Sequence, residues 1–76
     1  MAEARGLKWR TDAATKRRVF RDGDCIAEVS QDSTPSGPRW FARALPSRGL
    51  CSPAQGRERF VDAVTDLHTA VDQGEV

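Results

Sequence analysis

Apolar residues recur along this chain with two different periods. Phe60, Val64, Leu67 and Val71 follow one another at intervals of four, three and four, which is one stripe of an α-helix, while Arg59, Asp62, Asp66, Thr69 and Asp72 fill the other side. Ser52-Pro53-Ala54-Gln55 has the make-up of a helix start, with serine as N-cap, proline at the first helical position and glutamine three residues after the cap. Gly74 offers a stop. Together these signals predict a helix over residues 53–73, with Gly56 weakening only its first turn.

Ahead of that helix the period falls to two, the signature of half-buried strands. Arg21-Asp22-Gly23-Asp24 lies between two β-prone runs, and Asp-Gly suits the positive φ angles of a two-residue hairpin turn. The turn predicts strands at residues 16–22 and 24–31. A plain ladder then sets Arg21 against Asp24, Phe20 against Cys25, Val19 against Ile26, Arg18 against Ala27 and Arg17 against Glu28. A third strand is expected at 38–45, after a Ser/Pro/Gly-rich loop, and a leading strand at 7–11, turning through 12–15. The fold class expected is α+β: a three- to four-stranded antiparallel meander with one C-terminal amphipathic helix on one face.

In this register the inner face collects Leu7, Trp9, Phe20, Cys25, Ala27, Val29, Trp40, Ala42 and Ala44. Arg18 falls among them as a misfit, its stem lying along Trp9. The outer face collects Lys8, Arg10, Arg17, Val19, Arg21, Asp24, Ile26, Glu28, Phe41 and Arg43.

Length adds one constraint: 76 residues hold a single domain with a thin stability margin. Met1, followed at once by patterned sequence, reads as the start of a complete small protein. No apolar run approaches a membrane span and no signal-peptide core is seen, so a cytoplasmic location is expected. Net charge is only +1, but it is unevenly spread. Residues 1–50 carry ten Lys/Arg and six Asp/Glu (+4), and residues 51–76 carry two and five (−3). A basic sheet and an acidic helix result.

Catalytic constellations do not emerge. The chain has no Gly-rich phosphate loop, nucleophile elbow or paired-histidine metal motif. Cys25, Cys51 and His68 are too few for a zinc site, and the cysteines read as reduced thiols. Cys51, just ahead of the expected helix, is a reactive-thiol candidate, but His68 on that helix would lie too far off to serve as its base. No enzyme, metal or cofactor is expected.

The outer sheet face is the remaining candidate surface. Val19, Ile26 and Phe41 would form an apolar centre rimmed by Arg10, Arg17, Arg21 and Arg43, a pattern common in binding surfaces. The expected function is a small non-catalytic binding module, an accessory regulator or inhibitor that contacts a partner protein through this face. The alternative is nucleic-acid binding. Residues 16–73 are similar in layout to AP2-type and integrase arm-binding domains, and that resemblance implies a sheet lying in the major groove. The sequence pI of 7.8 is low for that role. Homodimerisation through an exposed strand edge, either the leading strand or 38–45, is compatible with both readings.

Overall fold

The computed structural model describes residues 6–47 and 49–76. It contains strands β1 (Leu7–Ala13), β2 (Lys16–Arg21), β3 (Asp24–Thr34) and β4 (Gly37–Ala44), followed by helix α1 (Phe60–Asp72). The strands form one antiparallel sheet in the order β1-β2-β3-β4, and α1 packs on one face over β3 and β4. This is the α+β meander that the two periods predict. No helix among the described residues is long and apolar enough to cross a membrane.

The β2–β3 turn forms as expected, with Asp22 at φ 53° and Gly23 at φ 85°, and it pairs Arg21 with Asp24 and Phe20 with Cys25. The ladder then slips by one residue. Val19 pairs with Ala27 rather than Ile26, Arg18 with Glu28, and Arg17 with Val29. Ile26 is therefore the extra residue of a β-bulge. Because side chains alternate, one slipped residue turns β2 inside out relative to the plain ladder. Val19 is completely buried in the core, while Phe20 belongs to the outer face.

The core reflects that change. Leu7, Val19, Ala27, Val29, Ala42, Ala63 and Leu67 are all fully buried. Ala27, Ala42 and Ala63 lie in this core beside the larger Leu7, Val19, Val29 and Leu67, and half-buried Trp9, Trp40 and Phe60 pack against its margin. Phe60 takes both indoles edge-on, with its ring centroid 6.2 Å from Trp9 and 5.0 Å from Trp40. An arginine does cover an aromatic ring on this side, but it is Arg17, 5.5 Å above Phe60, and not Arg18 on Trp9.

The helix is shorter than its start signal implies. It begins at Phe60 after Arg59, which supplies no side-chain cap. Gly56, at φ +76°, has no place in a helix. Residues 49–57 instead run along the free edge of β4: Ala44 N–H donates to Gly49 O, Cys51 N–H to Ala42 O, and Trp40 and Arg57 exchange both of their backbone bonds. The Ser52 hydroxyl takes the Ala42 N–H at 3.0 Å and so caps the sheet rather than the helix. The C-terminal stop does form. Glu75 N–H bonds to Ala70 O and Gly74 N–H to Val71 O, the paired bonds of a glycine-terminated helix.

The loop expected at 31–37 is a tight turn at Pro35 and Ser36, and β3 runs on to Thr34, which pairs with Gly37. The inner stripe of α1 is also wider than predicted, since Ala63 and Ala70 are buried beside Leu67 while Val64 is only half-buried.

Candidate functional site on the outer sheet face

The helix and the closing segment leave much of the outer sheet face uncovered. Directly opposed residues share a face, so the registers give its layout. One row runs Arg10–Arg18–Glu28–Arg43 across all four strands. Three strand spacings of about 4.8 Å make that row roughly 14 Å long. Lys8, Phe20 and Cys25 flank it on the hairpin side, and Lys16, Ser30 and Phe41 on the other.

Opposed like charges destabilise a sheet, yet Arg10 stands directly opposite Arg18. Asp12 relieves the clash. It is the extra residue where the β1–β2 register shifts, it accepts a 2.9 Å bond from Arg10 Nε, and it pairs with Arg18 as well. The two guanidinium groups beside Asp12 hold its carboxyl below the usual carboxylate range, Arg10 having the larger effect. The Arg10 guanidinium also stacks 5.0 Å above the Phe20 ring.

Arg43 is held more firmly. It donates to Ser30 Oγ at 3.1 Å and to Asp32 Oδ2 at 3.0 Å, and its guanidinium lies 5.1 Å over the Phe41 ring. Lys16 pairs loosely with Glu28 at 3.9 Å. A shallow polar depression of about 460 Å³ lies between Lys16, Glu28, Ser30, Asp32 and Arg43. A second, more apolar one of about 480 Å³ lies over Phe20, Lys8 and Arg10.

The structure separates the residues that the sequence grouped. Arg10 and Arg43 are on the outer face. Phe41 belongs to it by register but is only 6% exposed, because Gly56 packs against its ring. Val19 is in the core, and Ile26 is half-buried against it. Arg17 and Arg21 turn to the helix side, where Arg21 donates to the Val76 carbonyl at 3.1 Å. The apolar centre foreseen on this face therefore does not form. In its place are Arg18 and Phe20, which only the bulge brings outward.

Cys51 is not at a helix N-terminus, and burial pushes its thiol up from the ordinary range, with the Glu75 and Asp66 carboxylates adding to the rise. That is the reverse of an activated nucleophile. Among the described residues no three His, Cys, Asp or Glu side chains are grouped to hold a metal ion.

Compared with known protein families, characterised proteins and solved structures, the chain matches none.

Proposed function

We propose that this protein is a non-catalytic module that binds a partner protein through the outer sheet face, engaging carboxylates on that partner. The observation that carries the reading is the Arg10–Arg18–Glu28–Arg43 row. It places two arginines in direct opposition on a face that the fold leaves uncovered. Their side chains keep substantial exposure, 59% for Arg10 and 37% for Arg18, so each guanidinium retains donors for a second partner. Stacking and ion pairing hold Arg10 and Arg43 in place before binding, which lowers the entropy lost when a partner docks.

The same face favours a protein over a nucleic acid. Asp12, Glu28 and Asp32 are interleaved with the cations and would oppose a run of phosphates, whereas mixed charge around an aromatic suits a protein surface. Oligonucleotide binding is thus the second reading. An accessory or inhibitory role for the module accords with the lack of a catalytic constellation in the sequence.

The test uses wild-type protein and two sets of variants as parallel baits. Arg18→Glu and Phe20→Ala alter the face, while Asp62→Ala and Thr69→Ala alter the exposed side of α1. A partner lost with the first set and kept with the second supports the proposal. A partner indifferent to the face, or lost with the helix variants, refutes it. Titration of labelled DNA and RNA at low and moderate salt decides the second reading: binding that tightens steeply as salt falls would replace the protein partner with a polyanion.

A further inference from the structure

The two edges of the sheet are treated very differently. Residues 49–57 bond along β4 and close it. Among the described residues nothing pairs with the outer edge of β1, and α1 packs mainly over β3 and β4. An open strand edge is a template for another strand. The charge pattern of β1 indicates which strand fits.

We infer that β1 is a self-association edge at which a second copy of this chain pairs antiparallel about a two-fold axis through Thr11, extending the sheet to eight strands. A two-fold normal to the sheet keeps both helices on one side, and it requires outward residues to oppose outward residues. Three centres are then available in the middle of β1. An axis at Trp9 sets Lys8 against Arg10 of the second copy, twice. An axis at Arg10 sets Lys8 against Asp12, twice, but also sets Arg10 against itself. Only the axis at Thr11 sets Arg10 against Asp12 of the other copy, twice, with no like charges opposed and with threonine facing threonine. Like charges directly opposed destabilise a sheet and opposite charges support it, so the pattern selects this register.

The 2.9 Å Arg10–Asp12 bridge within one chain shows the two side chains already turned to the same face. Association exchanges that bridge for the same pair across the axis. The paired stretch is short, ending at the irregularity beside Asp12, so the dimer is weak and forms only as concentration rises. The inference is independent of the partner proposed above, because it concerns the purified chain alone.

The experiment is light scattering coupled to size-exclusion chromatography, from micromolar to millimolar protein. Mass should climb from 8.4 kDa towards twice that value. Arg10→Asp and Asp12→Arg each place like charges across the axis, so each alone should remain monomeric. Mixed together they should form a heterodimer, since both pairs across the axis then join a carboxylate of one variant to a guanidinium of the other. Neither chain regains its internal bridge in the mixture, so a purely local role for these residues predicts no association there. Wild-type protein that stays monomeric at millimolar concentration overturns the inference, and so do single variants that dimerise as well as wild type. Circular dichroism of each variant confirms that it is folded.

Discussion

Gly56 is where the closing segment presses hardest on the sheet, and its replacement by alanine should separate two costs. The first is conformational: at φ +76° an L side chain is strained by about 1–2 kcal/mol. The second is steric. A β-carbon there would lie 2.7 Å from the Arg39 Cβ and 2.7 Å from Phe41 Cζ. Neither neighbour yields easily, because Phe41 is buried and Arg39 is held in β4 at the point where Trp40 and Arg57 are bonded together. Overpacking of this kind costs about 1–3 kcal/mol, so Gly56→Ala should lose about 2–5 kcal/mol in all. Gly74→Ala is the matched control: its φ is +77°, but nothing lies within 4 Å of the added carbon, so only the conformational cost applies. For a domain of this size each kcal/mol moves Tm by about 4–8 °C. Gly56→Ala should therefore melt roughly 8–40 °C below wild type, and Gly74→Ala roughly 4–16 °C below. Thermal melts followed by far-ultraviolet dichroism and by tryptophan fluorescence measure both. If Gly56→Ala melts no lower than Gly74→Ala, the closing segment is not seated on Phe41 and the account of a covered phenylalanine is wrong.

Three further outcomes are expected. Ser52→Ala removes the acceptor for the Ala42 N–H and a hydrogen bond to Asp66, so chemical denaturation should show a loss of about 1–3 kcal/mol. Arg57 grips Asp66 with two bonds of 2.8 and 2.9 Å and lowers the carboxyl's pKa. Its stabilising contribution is then complete above the ordinary carboxylate pKa of about 3.9 and is lost as pH falls through the lowered folded value; denaturation at stepped acidic pH should show a shallower loss in Asp66→Asn than in wild type. Finally, Cys51 should react slowly with a disulfide reagent near neutral pH, because its raised pKa leaves little thiolate. Labelling of a Cys25→Ser variant should accelerate on unfolding, and equally fast labelling of the native variant would contradict the burial.

Much of the fold was legible because local signals carried it. Asp22-Gly23 specified its turn, and alternation specified the strands on either side. The fault lay at Ile26. Nothing in Cys25-Ile26-Ala27 marks a bulge, since no glycine is needed there and all three residues suit a strand. The choice is made by packing: the slip lets slim Val19 and Ala27 sit in the layer beneath α1, and it sends bulky Phe20 outward. A reading that ranks residues by hydrophobicity alone prefers the larger ring inside.

The helix start misled for a related reason. Ser52-Pro53 resembles a cap, but the unpaired edge of β4 outcompetes the helix for the serine oxygen and the backbone of residues 49–57. Gly56 was the available clue. The candidate face inherited the first error, for Arg17 and Arg21 exchanged sides with Arg18 and Phe20, while Arg10 and Arg43 on the flanking strands stayed outside.

The meander joins each strand to the next, so the ladder itself is available to a growing chain as soon as β4 has been made. Its inner lining and its outer edge are not. Leu67, Phe60 and the strip that closes β4 all come later, in the last third of the sequence. During synthesis on a ribosome the first 44 residues would thus hold an unpaired β4 edge and an uncovered row of Val19, Ala27, Val29 and Ala42. Such a nascent sheet has little stability of its own. Commitment to the native state therefore waits for the C-terminal segment, and a chain stalled before it is the form most exposed to aggregation and proteolysis.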